Sequence, residues 1–457
     1  MITDIIASNA FLSLIYSVYE FFGNIAFSFF TVYSRIILDF LHIIFDNLFY
    51  FVLYLTILMT LVHLTIMIIV SLKKSKYVEK PLKDSDLPTV TIQIPTYNEL
   101  AALHCAKKCL DFDYPKNKFN IMIGDDSSDK SISKQINAFA LKHKDMITVT
   151  RRGSNSGFKP GNLNHMLKST KGDFIVVFDS DFLPEKDFLR RIVGPFMHDK
   201  NVGAVQARWL ITNFSQNLSS VLGGIIPMFS HRLGLPFLNL IKANGFIAGS
   251  AEAIRKNTLV ELGGWQSGAL TEDIEYSLRL TRAGKKIVYL ENLGCNCETP
   301  FTPKDLGRQQ MRWAYGVISA LKKHLIPILF SRKIPAVWKV NAPLLLSGYL
   351  ITFQFFLLAV LGFFSIITNA PQAIDWARFF SETFINIVLT SGLLVTSVLV
   401  LKSVNKVHEI PRMLLASFSV GLLVIYTVSV GVVKAIFNRP MQWFILAKKG
   451  NVVSVDE

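Results

Sequence analysis

Charge is scarce in this chain of 457 residues: Asp, Glu, Lys and Arg together make up 18%, whereas 51% of the residues are hydrophobic. The mean hydropathy is +0.38, and the charged residues avoid the long apolar stretches. This balance excludes an ordinary soluble domain and predicts a membrane protein with an aqueous part. No basic helix interleaved with aromatic residues accompanies the net charge of +15. We therefore expect no nucleic-acid partner, and a positive face that borders the anionic surface of a lipid bilayer.

Cysteine is scarce as well. The four cysteines form two close pairs, Cys105 with Cys109 and Cys295 with Cys297, and neither pair has the usual Cys-x-x-Cys spacing. A zinc site built from both pairs is one interpretation, and reduced, buried thiols in a cytosolic domain are the one we favour. The N terminus lacks a basic segment followed by a small-residue cleavage site, so we expect no cleavable signal peptide.

Long apolar stretches occur near the N terminus. Residues 10–33 and 48–72 each exceed the roughly 20 residues that cross a bilayer, although Glu20 interrupts the first stretch. Five lysines follow between residues 73 and 83. The positive-inside rule therefore places the next segment in the cytosol.

Three more apolar stretches follow in the C-terminal third. Residues 340–368 and 379–401 predict a transmembrane hairpin, and basic residues at 402–412 mark a return to the cytosol. Residues 413–437 either span the membrane or lie along it. We expect a multi-pass integral membrane protein whose aqueous domain is cytosolic.

Between residues 87 and 325, strands and helices alternate. The strands are predicted at 90–95, 119–125, 146–151 and 174–178, and the helices at 101–110, 131–143 and 159–168. This alternation predicts a parallel, doubly wound sheet whose ligand lies beyond the carboxyl ends of the strands. Residues 210–240 are apolar but contain Pro, Gly, His and Arg. We expect them to form helices too broken to span, packed on the domain or at the membrane surface.

The chain accordingly divides into four regions. An N-terminal transmembrane region of about two spans (1–72) precedes the cytosolic α/β domain with its interface helices (73–325). A transmembrane hairpin with a short interface helix follows (326–412). An interface or membrane helix with a tail ends the chain (413–457).

Polar clusters follow the predicted strands. Thr96, Asn98 and Glu99 follow the first strand, and Asp125 and Asp126 end the second. The carboxyl ends of parallel strands meet at one edge of a sheet, so these side chains are candidate contacts for a nucleobase or ribose. Such residues also form ordinary turns, and each cluster alone is a weak signal.

Asp179 and Asp181 close the strand at 174–178. Side chains two residues apart share a face, and paired carboxylates suit a hard divalent cation, Mg²⁺ or Mn²⁺, that holds a diphosphate. Lys159 lies in a glycine-containing turn before a helix, where phosphate groups commonly bind. The Asp-x-Asp pattern alone is weak because it also caps helices and closes turns.

The order of these sites and of two later motifs resembles the inverting family 2 glycosyltransferases. The later motifs are Thr271-Glu272-Asp273 and Gln309-Gln310-Met311-Arg312-Trp313. A Gln-x-x-Arg-Trp pattern after Asp-x-Asp and Thr-Glu-Asp is similar to the processive membrane branch, which contains cellulose, mannan and hyaluronan synthases. The resemblance covers residues 87–323. It implies a Rossmann-like GT-A domain with a mostly parallel sheet, flanked by transmembrane and interfacial α-helices.

The resemblance also implies a role for each motif. An inverting transfer needs cations to stabilise the leaving diphosphate and a base to deprotonate the acceptor hydroxyl. The implied base is Asp273, with Glu272 beside it, and the implied metal ligand is Asp181. The implied donor-binding residues are Asp179, Lys159, Gln309, Gln310 and Arg312, and the implied acceptor-binding residues are Trp313, Asn244, Gly249 and Ser250. Residue-level alternatives stay open: Glu272 and Asp273 also suit a helix start, and Trp313 a helical core position.

The C-terminal tail resembles the gating loop that follows an interface helix in cellulose-type synthases. Trp443 and Lys448 match it, whereas Leu446 stands where the family carries a threonine. The later spans of that branch have no counterpart in this sequence. The resemblance therefore implies a channel of about four spans from this chain, completed by an accessory subunit or by a second copy in a homo-oligomer.

The resulting hypothesis is a hexosyltransferase that uses a UDP- or GDP-hexose at the cytosolic face. It polymerises a β-linked polysaccharide and moves this growing acceptor across the membrane. The alternative is a non-processive enzyme that adds a single sugar to a lipid. A non-catalytic scaffold is disfavoured because all the carboxylates that the resemblance implies are present.

Overall fold

A computed structural model describes residues 2–73, 82–370, 375–442 and 444 of the chain. The chain forms two compact units: Met1–Leu58 with Gln354–Thr390, and Met59–Phe353 with Ser391–Glu457. The second unit contains the β-sheet. The four regions predicted from composition do not coincide with these units, and the predicted division into membrane and aqueous regions stays a prediction.

Seven strands of the second unit form one sheet. They are β1 (Val90–Thr96), β2 (Phe119–Asp125), β3 (Ile147–Thr150), β4 (Phe174–Val177), β5 (Val202–Ile211), β6 (Glu252–Arg255) and β7 (Lys286–Cys297). Their order across the sheet is β3-β2-β1-β4-β6-β5-β7. All neighbours pair in parallel except β6, which runs antiparallel to β4 and β5. The predicted α/β fold is confirmed, and each of the four predicted strands ends within one residue of its predicted bounds.

Sixteen α-helices lie in the described part of the chain. They are α1 (Ile2–Leu72), α2 (Ala101–Leu110), α3 (Lys130–Lys142), α4 (Phe158–Leu167), α5 (Phe188–Ile192), α6 (Gly194–His198), α7 (Leu218–Met228), α8 (Leu235–Leu240), α9 (Lys256–Glu261), α10 (Glu272–Arg282), α11 (Pro303–Phe330), α12 (Asn341–Thr368), α13 (Trp376–Thr390), α14 (Gly392–Ser403), α15 (Ile410–Phe418) and α16 (Val420–Ile436).

The sheet is buried on both faces. Alternate residues of β1, such as Ile92 and Ile94, join α2 in one apolar core. Ile175 and Val177 of β4 point to the opposite core, which α4 and α10 share. A parallel sheet covered on both faces favours strands that are continuously hydrophobic, as β4 (Phe174–Val177) is. The two aspartates Asp179 and Asp181 follow this strand where it ends.

The N-terminal region, where about two spans are predicted, is helical. Residues Ile2–Leu72 form one continuous helix, about 107 Å long at 1.5 Å per residue. The region contains no proline, and Gly23 is its only glycine. The charged residues that separate the two apolar stretches fit the helix, because Arg35 Nε donates to Asp39 Oδ1 at 2.8 Å, one turn away. The lack of proline fits a continuous helix, and the number of membrane crossings stays a prediction.

The segment at 210–240 differs from its prediction. Helix α7, a π-helical turn (Phe229–Gly234) and α8 follow one another without a break. The π turn comes directly after Pro227, where a proline cannot donate an α-helical hydrogen bond. Pro236 lies in the first turn of α8, where proline is tolerated. The prolines therefore change the local helix type but do not end the segment.

Three helical segments within the described residues are long and apolar enough to cross a membrane: Tyr16–Leu72, Leu218–Leu240 and Ala336–Thr368. Two bent pairs pass the same test together and raise the number to five. One pair is Val407–Phe418 with Val420–Ile436, which bend by 53°. The bend keeps both readings of residues 413–437, a span or an interface helix, as predictions.

Helices α11 and α16 pack closely because small residues face the contact. A Cβ atom added at Gly431 of α16 would lie 2.4 Å from the carbonyl oxygen of Met311. Gly307 of α11 faces Thr427 of α16. A Cβ atom added at Gly307 would lie 3.2 Å from the Thr427 methyl group. Glycine at such positions lets two helix backbones approach each other.

Replacing Gly431 with Ala is expected to lower the free energy of unfolding by about 1–3 kcal/mol, because the added methyl group forces the two backbones apart. Thermal unfolding of the purified protein in detergent measures the change. Gly348→Ala in α12 is the matched control, since no atom lies within 4 Å of its added Cβ. Equal losses in the two variants would contradict a close α11–α16 contact at Gly431.

Candidate active site

A cavity lies beyond the carboxyl ends of β1 and β4, and α10 and α11 contribute its opposite wall. It collects most of the predicted site residues from distant parts of the sequence. Those that line it are Thr96, Glu99, Asp126, Lys159, Asp179, Asp181, Gly249, Glu272, Asp273, Gln309, Arg312 and Trp313. The topological argument from strand ends therefore located the cavity correctly.

A lysine ammonium lies at the centre of the polar wall. Lys159 Nζ is 2.8 Å from Asp179 Oδ1 and 3.0 Å from Glu272 Oε1, and it donates to the carbonyl oxygen of Gly249 at 2.5 Å. Burial opposes its charge, but the carboxylates of Asp179 and Glu272 outweigh burial and raise the pKa of Lys159. The ammonium is therefore charged and holds the ends of β4 and α10 together.

Asp273 lies at the start of α10, beside Glu272. Burial, and next the neighbouring Glu272 carboxylate, raise the pKa of Asp273 to about 7, although Lys159 opposes the shift. Gly249 leaves room for the side chain, because a Cβ there would be 3.2 Å from Asp273 Oδ2. A carboxyl group with a pKa near neutrality can accept a proton efficiently at physiological pH.

Arg312 supplies a second cation. One guanidinium nitrogen donates to the carbonyl oxygen of Leu270 at 3.2 Å, which joins α11 to the loop before α10. Burial lowers the pKa of Arg312, and the carboxylates of Glu272, Asp179 and Asp273 oppose that shift. The guanidinium remains charged, since arginine is protonated in proteins. Carboxylates and cations therefore alternate around the cavity.

Aromatic rings form another part of the wall. Trp209 of β5 lies between Phe182 and Trp313, with ring centroids 5.2 Å and 6.4 Å away, respectively. All three residues line the cavity. Rings of this kind present apolar faces on which the apolar face of a sugar can stack.

Asp125 and Asp126 have different surroundings although they are adjacent. Asp125 is buried and accepts hydrogen bonds from Ser133 Oγ at 2.6 Å and Arg151 Nε at 2.7 Å. Asp126 lines the cavity and pairs with Arg152, at 2.6 Å between Oδ2 and a guanidinium nitrogen. Asp125 therefore anchors the loop, and Asp126 faces the cavity.

Four other predicted residues lie behind the cavity wall. Asn98 has a positive φ of 54° and donates to Ser128 Oγ, which shapes the loop after β1. Gln310 is buried, with its amide 3.4 Å from that of Gln309. Asn244 bonds Thr281 and the backbone of Ile287, remote from the cavity lining. Ser250 Oγ accepts the backbone N–H of Asp179 at 2.8 Å.

Several residues near the site were not predicted from the sequence. Arg152 follows β3, so the strand-end argument could have found it. Ser180 donates to Glu99 and ties the ends of β4 and β1 together. Glu298 lines the cavity from the loop after β7. Glu252 carries no local signal, because it begins a short strand in the middle of the sheet.

The predicted gating-loop residues Trp443 and Lys448 lie outside the described residues. Phe444, between them in sequence, is described and lines the cavity. Its ring lies under the guanidinium of Arg308, 5.0 Å from the guanidinium carbon to the ring centroid. The C-terminal tail therefore reaches the cavity at this residue.

The carboxylates that line the cavity suit a divalent cation that is also bound by a diphosphate. Within the described residues, no group of three or more His, Cys, Asp or Glu side chains could hold a metal ion. Mg²⁺ and Mn²⁺ nevertheless bind through one or two carboxylates together with substrate phosphates. Asp181 and Glu298 present carboxylates to the same cavity.

The four cysteines are buried and free.

Removing the Lys159 ammonium is expected to destabilise the fold. In Lys159→Met, Asp179 and Glu272 lose their shared cation, and breaking a buried ion pair costs about 3–5 kcal/mol. We expect the lower end, because the Asp179 side chain is 33% exposed and partly screened by water. Thermal unfolding measures the loss. Lys168→Met, at an exposed position after α4, is the control, and equal unfolding temperatures in the two variants would contradict this role.

Comparisons with known proteins identify relatives of this chain. "Probable glucomannan 4-beta-mannosyltransferase 1" of Arabidopsis thaliana is 30% identical over 260 residues, which cover 55% of this chain and 47% of the relative. "Glucomannan 4-beta-mannosyltransferase 1" of Oryza sativa subsp. japonica is 27% identical over 326 residues, covering 68% and 62%. The matches thus span about half to two thirds of the length of these relatives.

A solved structure shows the same fold. "Mannosyltransferase PcManGT from Pyrobaculum calidifontis in complex with GDP-Man and Mn2+" superposes with a TM-score of 0.57 at 17% identity. The match covers 88% of this chain and all of that one. Residues 88–316, half of this chain, match the family model described as "Glycosyltransferase like family 2". The chain has a GT-A fold and belongs to glycosyltransferase family 2.

Proposed function

We propose that this protein is an inverting, nucleotide-sugar-dependent hexosyltransferase that polymerises a β-linked polysaccharide. The observation that carries the proposal is the position of Asp273. Its carboxyl group, with a pKa of about 7, lines one cavity together with Asp181, Arg312 and Trp313. A base, a phosphate-binding side and a sugar-stacking side are thus combined, as a glycosyl transfer requires.

The reaction assigned to this cavity is a direct displacement at the anomeric carbon of the donor. Asp273 takes the proton of the acceptor hydroxyl, and the acceptor oxygen forms a bond to that carbon. The bond from the carbon to the diphosphate oxygen breaks, and the diphosphate leaves with the electron pair. Attack opposite the leaving group inverts the configuration, so an α-linked donor gives a β-linked product.

The leaving diphosphate gains negative charge, which nearby cations stabilise. Arg312 offers a guanidinium from α11. Asp181 and Glu298 would hold Mg²⁺ or Mn²⁺, which supplies Lewis-acid stabilisation of the diphosphate when bound. Lys159 lines the cavity and contacts Asp179, Glu272 and Gly249. In this proposal it positions these groups, and its predicted contact with the diphosphate stays a prediction.

The named relatives make a GDP-hexose the first donor to examine. They are glucomannan mannosyltransferases, and the structural neighbour was solved with GDP-mannose and Mn²⁺. We place the cavity on the cytosolic side, because five lysines follow α1 before the sheet begins. Transfer of the product across the membrane belongs to the same proposal, and its support is the set of helices long enough to span.

Incubating the purified protein with labelled GDP-mannose, GDP-glucose, UDP-glucose and UDP-N-acetylglucosamine, with Mg²⁺ or Mn²⁺, tests the proposal. The expected product is a polymer that a β-specific glycanase digests. A lipid carrying one sugar would support the single-transfer alternative. Absence of transfer from every donor, with a folded protein, would contradict the proposed activity.

Replacing Asp273 with Asn is expected to reduce transfer by about 10²–10⁴-fold, because the side chain no longer accepts a proton. Donor binding should survive, since the amide keeps the shape of the carboxyl group. Calorimetry with a nucleotide diphosphate and Mn²⁺ measures binding, and product formation measures transfer. Glu261→Gln, an exposed carboxyl outside the cavity, is the control. Normal turnover by Asp273→Asn would exclude Asp273 as the base.

The rate is also expected to depend on pH through Asp273. Only the ionised carboxylate accepts a proton, so kcat/KM should rise as pH increases through about 7. A bound cation favours the ionised form, so the corresponding rise in kcat should lie at lower pH. A kcat/KM that stays constant from about pH 5 to 8 would contradict the assignment.

A further inference from the structure

Glu252 is a buried carboxyl group that the proposed reaction does not use. It begins β6 and pairs with Val177 of β4 and Gln206 of β5, in the interior of the sheet. Only 1% of it is exposed. Burying a carboxyl group is costly unless its surroundings offset the cost, so its position beside the cavity calls for a physical reason.

The reason lies in the turn formed by Ala248, Gly249 and Ser250. Glu252 Oε2 accepts the backbone N–H of Gly249 at 2.8 Å. Gln206 accepts the N–H of Ala248 at 2.7 Å and donates to the carbonyl oxygen of Ser250 at 3.0 Å. Two buried side chains of the sheet thus bind backbone groups of three successive residues of the turn.

The same turn contacts four functional groups of the cavity wall. The Gly249 carbonyl accepts from Lys159, and the Gly249 Cα faces Asp273, since a Cβ there would be 3.2 Å from Oδ2. Ser250 Oγ accepts the N–H of Asp179 at 2.8 Å. The Ser250 carbonyl accepts from Trp209 Nε1 at 3.1 Å.

We propose that Glu252 is a positioning residue for the transfer reaction: by holding the Gly249 N–H, it fixes the turn that orients Lys159 and leaves space for Asp273. The inference rests on the proposed function, because it concerns the geometry of that same reaction. Glu252 acts through the turn and does not line the cavity within the described residues.

Burial favours the protonated form of Glu252. Burial is the main cause that raises its pKa well above the usual range, and Lys159 opposes the shift while Asp273 and Glu272 add to it. The phenol of Tyr276 also lies near it. Two further charged groups lie nearby: Asp179 pairs with Lys159, and the Arg312 guanidinium interacts with Asp273. A proton on Glu252 therefore limits the negative charge beside the base.

The charge on Glu252 then has a functional consequence. Loss of its proton at alkaline pH would add a negative charge next to Lys159 and Asp273. That charge opposes the negative charge that develops on the leaving diphosphate. The wild-type rate should therefore fall at alkaline pH through the ionisation of Glu252.

Two substitutions separate the hydrogen bond from the charge. Glu252→Gln keeps an oxygen that accepts the Gly249 N–H but cannot ionise, whereas Glu252→Leu leaves that N–H without a partner. We expect Glu252→Leu to lose at least about tenfold in kcat, the equivalent of one unmade buried hydrogen bond. Glu252→Gln should recover at least half of that loss on a logarithmic scale, and its alkaline decline should be absent or displaced to higher pH.

The test is to measure transfer rates from about pH 6 to 10 for the wild type and both variants. Glu261→Gln is the control and should be unaffected. The same alkaline decline in wild type and Glu252→Gln, or equal rates for Gln and Leu, would overturn the proposal. Infrared difference spectra of wild type minus Glu252→Gln at neutral pH give a readout without turnover. A protonated carboxyl band supports the inference, and a carboxylate band overturns it.

These outcomes remain distinct from failure of the proposed function. An inactive wild type would contradict the transferase proposal, whatever the variants do. An active wild type with unaffected Glu252 variants would contradict only the role of Glu252. If Glu252→Leu does not fold, the pH profile and the infrared spectrum of Glu252→Gln still test the inference.

Discussion

The buried ammonium of Lys159 is the interaction on which the site depends. It joins α4, the end of β4, the start of α10 and the turn before β6, four segments that are far apart in sequence. Placing a cation there offsets the cost of burying Asp179 and Glu272. Burial, and next the Glu272 carboxylate that Lys159 holds in place, raise the pKa of Asp273 to about 7. The ion pairs of Lys159 thus fix the surroundings of the proposed base.

Much of the sheet and of the cavity could be predicted because both depend on local patterns. The run of apolar residues at 174–178 makes a strand wherever it is placed, and parallel strands bring their polar ends to one edge. Local patterns do not predict which of two adjacent carboxylates faces the cavity. Asp125 turns to Ser133 and Arg151, whereas Asp126, one residue later, faces the cavity. That choice depends on partners from other segments, which the local pattern does not contain.

The differences between prediction and structure concern helix breakers. Apolar length alone suggested two separate N-terminal segments, whereas Ile2–Leu72 forms one continuous helix that contains no proline. Conversely, Pro227 suggested a break in the helix, whereas the chain continues past it in a π-helical turn. Glu252 shows a third limit: its meaning arises from the fold, because only the antiparallel insertion of β6 between β4 and β5 brings it beneath the Gly249 turn.

The contact between α11 and α16 connects the cavity with the apolar C-terminal helices. Met311, whose carbonyl faces Gly431, precedes Arg312 and Trp313 of the cavity wall. About three turns further along α11, Lys322 donates to the carbonyl oxygens of Ala435 and Ile436 at the end of α16. Two contacts therefore fix α16 on the helix that carries the guanidinium and the indole. A displacement of α16 at Gly431 must displace this part of the wall as well.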